Sequence, residues 1–195
     1  MNTEIVEFLE EKHTKFFQTV AGVDQMTSEF QPAPGEWSVG ETVHHVIMVE
    51  RTVRFLIRGL RWRFLGEKSL NSTHKPPRLE SVSRREGRVK TMRRFIPSHG
   101  QRWERLLLSL NRERQKTRGL AKRINLPKIR QRRFRHYILG HLNGEEWLRF
   151  IGHHQERHRL QIEEILHRLK SSRKIEMIEN GKRFNSTASA DSPAA

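Results

Sequence analysis

Apolar residues recur at intervals of three and four in four separate segments of this chain, and this spacing constrains the fold more than any other feature of the sequence. Residues spaced in this way lie on one face of an α-helix. The predicted helices begin near Thr3, after Ser38, near Gly100 and at Gly144. No segment of useful length shows the alternation typical of a β-strand. The pattern therefore predicts an all-α fold, and four long helices with two long connections favour a four-helix bundle.

The first two predicted helices are separated by a segment that interrupts the helical pattern. The first helix is expected to end around Gly22 or a few residues later, and two prolines and a glycine in residues 31–35 then break the helix. Ser38 and Glu41 have the spacing of a capping box, in which each side chain bonds the backbone N–H of the other residue. The second helix is therefore predicted to begin after Ser38 and to end near Gly66.

The third and fourth predicted helices carry apolar stripes of their own. The third is expected to run from about Gly100 to Lys116 or a little beyond. The fourth is expected to run from Gly144, with Asn143 as its cap, to about Ser171.

The domain organisation follows from these helices. Residues 1–175 are predicted to form one helical-bundle domain, with basic connectors within residues 67–99 and 119–143. Residues 176–195 are predicted to form a C-terminal tail, whose small, polar ending is typical of disorder.

Positive charge is concentrated in the middle third of the chain. The net charge is +16, and residues 67–135 hold 22 lysines and arginines against five acidic residues. Such a block could bind phosphate groups, and it could equally form a solvated helix face with basic loops. Phe95, Trp103 and Phe134 are too widely spaced to form a base-stacking platform. Binding of nucleic acid or another acidic partner by a non-catalytic, stress-related protein is therefore kept as the alternative function.

The cysteine count and the N-terminal segment exclude several classes of protein. The chain contains no cysteine, which excludes disulfides, thiolate metal sites and a cysteine nucleophile of its own. Four glutamates occur among the first eleven residues, without the apolar core of a signal peptide. No apolar run is long enough to span a membrane. The sequence therefore predicts a cytoplasmic protein that does not associate with membranes.

Three histidines occupy helix faces where apolar residues are expected. His45 lies on the apolar face of the second predicted helix, and His154 and His158 lie at the centre of the stripe on the fourth. Two histidines four residues apart stand on adjacent turns of a helix, close enough to bind one ion. Their neighbours His44 and His153 lie about 100° around each helix and are weaker candidates.

The three histidines have two interpretations that spacing alone leaves open. Neutral imidazole is a good ligand for Zn²⁺ and Ni²⁺, and three protein ligands leave a coordination position open for water or substrate. Alternatively, the side chains are core histidines whose nitrogens are hydrogen-bonded to neighbouring groups.

Two separate motifs, in this order, resemble those of the DinB/YfiT-like superfamily. Residues 34–46 are similar to the entry of the second helix in that superfamily, and residues 139–162 are similar to its fourth helix. The matching residues are Trp37, Ser38, Glu41, His45, His154, His158, Gln161 and Ile162.

This resemblance implies an up-down-down-up four-helix bundle, which is often a homodimer in the superfamily. It also implies that His45, His154 and His158 hold a divalent metal, with zinc and nickel as the favoured candidates. It also implies a metal-dependent hydrolase or a thiol-dependent transferase that acts on a small-molecule substrate. Because the chain has no cysteine, the thiol would be an external low-molecular-weight compound. The sequence assigns no residue a catalytic role.

Overall fold

The fold is a bundle of four long helices, as the sequence predicts. The computed structural model describes residues 2–62, 67–68, 77–84 and 91–188. The long helices are α1 (Thr3–Val20), α3 (Val39–Trp62), α5 (Trp103–Arg123) and α7 (Gly144–Ala188). Helices α1 and α3 both pack against α5 and α7.

Shorter elements connect the long helices, and some of them were not predicted. The short helices are α2 (Gln25–Glu29), α4 (Glu80–Ser83) and α6 (Leu126–Arg130), and a 3₁₀ turn covers Arg93–Phe95. Three antiparallel strands, β1 (Glu67–Lys68), β2 (Arg132–His136) and β3 (Gly140–Asn143), form a sheet in that order.

The expectation that the chain has no strand is wrong at this sheet. Phe134 on β2 faces Leu142 on β3, and both side chains pack against the apolar core. The other positions of β2 are arginines and a histidine, so the strands are too polar and too short for alternation to reveal them. Gly140 opens β3 with a φ of 77°, a conformation that favours glycine after the turn.

The predicted helix starts are confirmed by the hydrogen bonds that cap them. The Ser38 backbone N–H donates to the Glu41 carboxylate at 2.8 Å, and the Glu41 N–H donates to Ser38 Oγ at 3.2 Å. Asn143 Oδ1 accepts from the N–H groups of Glu145 and Glu146, both at 3.0 Å. Each cap satisfies backbone donors that the first turn of a helix leaves without partners.

The predicted helix ends are less accurate. Helix α5 continues past Lys116 to Arg123, and α7 continues well past Ser171 to Ala188. The predicted end of the second helix at Gly66 lies outside the described residues. So do residues 189–195 of the predicted tail, and the division of the chain near residue 175 stays a prediction.

The core consists of two apolar clusters with a polar layer between them. On α1, His13 lies between Leu9 of one cluster and Phe16 of the other. On α7, the segment 154–158 lies between Ile151 and Ile162 in the same way. The middle of the bundle is therefore polar, and this layer contains both groups of residues described next.

One part of the polar layer is a set of buried charges that we name the charge network: Glu50, Arg54, Glu113 and Arg114. All four are at most 5% exposed. Arg54 binds the Glu113 carboxylate and donates to the Glu113 carbonyl at 3.1 Å. Arg114 Nη2 lies 3.6 Å from Glu50 Oε2, and Thr117 Oγ1 donates to Glu50 Oε1 at 2.6 Å. These contacts join α3 to α5 within the bundle.

Candidate metal centre

The candidate site is a cavity of about 760 Å³ beside the polar layer. Side chains from α3 and α7 form one part of its lining. Further lining residues come from the segment around Trp37, from α4 and the adjoining Arg84, from the segment of the 3₁₀ turn and from the β2–β3 hairpin. His45, His154 and His158 all line this cavity, and we refer to them as the histidine triad.

The structure brings the three predicted histidines together. The Nε2 atom of His154 lies 3.3 Å from Nε2 of His45 and 3.2 Å from Nε2 of His158. One nitrogen from each residue lies within 4.8 Å of the other two, so the group could hold a metal ion. His45 and His158 are buried, and His154 is half-buried.

Hydrogen bonds from the opposite ring nitrogens fix the orientation of two of these rings. His45 Nδ1 donates to the carbonyl oxygen of Phe95 at 2.8 Å. His158 Nδ1 donates to Oε1 of Gln161 at 2.9 Å. Because each Nδ1 carries the hydrogen of a neutral imidazole, each Nε2 presents a lone pair to the triad.

This arrangement of nitrogens fits a metal ion better than it fits an internal hydrogen-bond network. An Nε2–H of His154 could satisfy only one of the two facing lone pairs, which leaves the other without a donor. Tetrahedral zinc with nitrogen ligands at its usual bond length separates neighbouring nitrogens by about 3.3 Å. The two short separations in the triad match this spacing.

Burial favours the neutral, cation-binding form of two of the three histidines. Burial lowers the pKa of His45, although its bond to the Phe95 carbonyl acts in the opposite direction. Burial and then the neighbouring histidines and Arg157 lower the pKa of His154 well below its ordinary value. The rings of His45 and His154 are therefore mostly neutral at pH 7.

Aromatic rings enclose the triad. The ring of Trp37 lies 4.9 Å from the ring of His45, and the ring of Phe150 lies 5.3 Å from that of His154. Trp37 therefore forms part of the wall of the histidine site. Trp147, which is 4% exposed, both packs in the core and lines the cavity. Such walls restrict water and strengthen electrostatic interactions inside the cavity.

The neighbouring histidines do not join the triad. His44 Nδ1 accepts from the backbone N–H of Ser98 at 3.1 Å, and His153 Nδ1 lies 3.0 Å from the hydroxyl of Ser83. The lower ranking of both residues in the sequence analysis agrees with these contacts.

His136 lines the cavity, and sequence reasoning missed it. Its Nδ1 accepts from the backbone N–H groups of Ile138 and Leu139 at 3.2 and 3.1 Å. Burial lowers its pKa to about 4, so the ring is neutral at pH 7 and carries its hydrogen on Nε2. Only the turn of the hairpin creates this geometry, and the linear sequence carried no signal for it.

The carboxylates in and near the cavity bond other protein groups rather than the triad. Among the residues that the structure describes, Glu36 and Glu164 are the acidic residues that line the cavity, and both bond Arg168. Glu41 caps α3, as predicted. Glu50 is buried in the charge network rather than solvated.

Comparisons with known proteins identify the family. The model of the DinB superfamily matches residues 9–162, and the chain therefore belongs to this superfamily. This confirms the resemblance found in the two sequence motifs. No curated protein sequence matches the chain.

Two solved structures share the fold. One is TT2238, a four-helix bundle protein, with a TM-score of 0.56 and 17% identity over 84% of this chain and 98% of the other. The second is YfiT from Bacillus subtilis, described as a probable metal-dependent hydrolase with an unusual four-helix bundle topology. It has a TM-score of 0.57 and 16% identity over 87% of each chain. At these identities the likeness shows the fold alone.

Proposed function

We propose that the chain is a metal-dependent enzyme in which His45, His154 and His158 hold one divalent cation, zinc or nickel. The observation that carries this proposal is the convergence of three Nε2 atoms, two of them with lone pairs fixed toward the third. The description of YfiT as a probable metal-dependent hydrolase supports the same reaction class. The cavity volume is that of a pocket for a small-molecule substrate.

The proposed chemistry is hydrolysis or transfer of an external low-molecular-weight thiol. When bound, a divalent cation would act as a Lewis acid and lower the pKa of the water or thiol that serves as nucleophile. The chain's own residues position the site: Phe95 and Gln161 orient two of the histidines, and aromatic rings limit access of water. His136 offers a neutral N–H donor to a substrate in the cavity.

Activity of matched variants tests this proposal. Metal-free and zinc-reconstituted protein would be assayed for hydrolysis of p-nitrophenyl acetate and for transfer of N-acetylcysteine to monochlorobimane. We expect activity in one assay, lost after chelation and in His154→Ala, and retained in His44→Ala, whose ring lies outside the triad. Full activity in chelator-treated protein would contradict the proposal.

The alternative of a nucleic-acid-binding protein stays a prediction, as do the homodimer and the cytoplasmic location. Part of the basic block is engaged within the fold, because Lys116 bonds Glu113 and Arg130 bonds Glu145. No helix in the described part of the chain has the apolar length that a membrane span requires.

A further inference from the structure

The cavity that contains the histidine triad is lined by more positive than negative side chains. Five arginines line it, and the two carboxylates that do so in the described part of the chain, Glu36 and Glu164, both bond Arg168. The other arginines of the lining are Arg84, Arg94, Arg135 and Arg157.

Two of these arginines adjoin residues of the triad or its hydrogen-bonded neighbour. Arg94 precedes Phe95, whose carbonyl accepts from His45, and its guanidinium lies 4.9 Å from the centre of the Phe95 ring. Arg157 immediately precedes His158 on α7 and lines the same cavity. Both arginines therefore line the cavity from segments that carry the triad or its hydrogen-bonded neighbour, and Arg157 Nη1 also donates to the carbonyl of Arg84 at 2.6 Å.

A third arginine reaches the cavity from the β2–β3 hairpin. Arg135 precedes His136, whose ring lies 4.9 Å from that of Phe150, and Phe150 in turn contacts His154. Arg135 is exposed and forms no ion pair with any residue that the structure describes, and the same is true of Arg94. Cavity-lining charges that form no ion pair with a described residue are available to a ligand.

We infer that the substrate of the proposed enzyme is an organic anion, whose carboxylate or phosphate group is bound by Arg94, Arg135 and Arg157 and whose apolar part lies against the aromatic wall. This inference rests on the proposed function, because it names the substrate class of the same cavity. Guanidinium groups match the geometry of carboxylate and phosphate oxygens and bind them in pairs of hydrogen bonds. Leu56, Phe134 and Phe150 supply the apolar lining for the remainder of the molecule.

Binding of matched probes tests the inference without an activity assay. Phenylacetate, phenyl phosphate and the neutral phenylacetamide would be titrated into zinc-loaded and metal-free protein by calorimetry. We expect at least one anion to bind about tenfold more tightly than the amide in both forms, because hydrogen bonds to charged groups are stronger than neutral ones. The metal-free arm separates binding by arginines from direct binding to the ion, and the tighter anion identifies the preferred group.

Charge-neutralising variants locate the binding residues. Arg94→Gln and Arg135→Gln should each weaken anion binding about threefold to tenfold, while the amide is unaffected. Arg112→Gln is the matched control, since Arg112 is exposed on α5 and does not line the cavity. Thermal unfolding and zinc content of all variants should be unchanged.

Equal affinity for the anions and the amide would overturn the inference. So would an Arg112→Gln variant that weakens binding as much as Arg135→Gln, because the effect would then come from net charge alone. A chain that binds no zinc would contradict the proposed function separately, since the anion preference is also measured on metal-free protein.

Discussion

The charge network and the histidine triad lie in the same polar layer of the bundle, but they differ in the partners that their buried polar groups have. In the network, two glutamates and two arginines contact each other, so each sign of charge has a partner within the chain. In the triad, the Nε2 atoms of three histidines meet, and at least one of their lone pairs has no donor within the triad.

The difference shows which of the two groups requires something from outside the chain. The charge network contains its own counter-charges, so it needs no ligand to balance them, although Glu50 Oε2 and the Nε and Nη1 atoms of Arg114 form no hydrogen bond within the described part of the chain. The convergent lone pairs of the triad are available to a cation, or to a hydrogen-bond donor, from outside the chain. Burial alone therefore does not distinguish the two groups, whereas the presence of paired opposite charges in one and of convergent lone pairs in the other does.

Breaking the charge network should have the largest effect on stability. Glu113→Ala leaves Arg54 buried without its carboxylate partner, and we expect a loss of about 3–5 kcal/mol in the free energy of unfolding. Urea denaturation of metal-free protein measures this value. Arg51→Ala is the control, because Arg51 contacts the same carboxylate from an exposed position and should cost less than about 1 kcal/mol. Similar small losses in both variants would show that the network does not hold the fold.

Removing the side chain that orients His158 should have a smaller effect, which is expected on metal affinity and not on the stability of the metal-free fold. Gln161→Leu takes away the acceptor for His158 Nδ1, and we expect zinc affinity to fall about 10–100-fold. Competition with a chromophoric chelator measures the affinity. Gln161→Glu keeps an acceptor oxygen and should retain tight binding. If Gln161→Leu binds zinc as tightly as the unmodified chain, the triad does not depend on this contact.

Acid should lower the free energy of unfolding through His13, which lies in the polar layer near Arg114 of the charge network. Burial, and then the charge of Arg114, lowers the pKa of His13 from 6.5 to about 3. The unfolded chain takes up this proton below pH 6.5 and the folded chain does not, so stability is complete above that pH and is lost as the pH falls toward 3.

A variant isolates this contribution. Between about pH 6.5 and about pH 5, the free energy of unfolding should fall less steeply with pH in His13→Leu than in the unmodified metal-free protein. The difference in slope should correspond to the one proton that His13 takes up on unfolding. Urea denaturation across this range provides the comparison. Glu113 contributes a second loss of stability at more acidic pH. Burial raises its pKa, but Arg54 and Lys116 lower it by more, so its net pKa is lowered and its contribution is lost when it takes up a proton. Parallel pH profiles for the two proteins would contradict the assignment of His13.

The parts of the fold that depend on local sequence could be predicted. The caps at Ser38 and Asn143 are set by contacts within four residues, and the helical stripes follow from a fixed period. The histidine triad could be predicted because all three residues interrupt such stripes. Family resemblance then joined the two helices that carry them.

The remaining features depend on contacts between distant segments. The β2–β3 hairpin has one inward-facing apolar pair, Phe134 and Leu142, so alternation was too short to detect. Glu50 and Arg114 are 64 positions apart and are brought together only by packing of α3 on α5. For the same reason, no pattern in the sequence indicates that His136 lines the cavity.

Metal content of the purified, tag-free chain tests the central claim most directly. Elemental analysis after reconstitution should find about one zinc or nickel per chain, because the triad provides one set of ligands. The metal should be lost in His154→Ala and retained in His153→Ala, whose ring contacts Ser83 instead of the triad. A chain that binds no metal after reconstitution, or a His154→Ala variant that keeps its full metal content, would contradict the account and leave the three histidines as residues of the core.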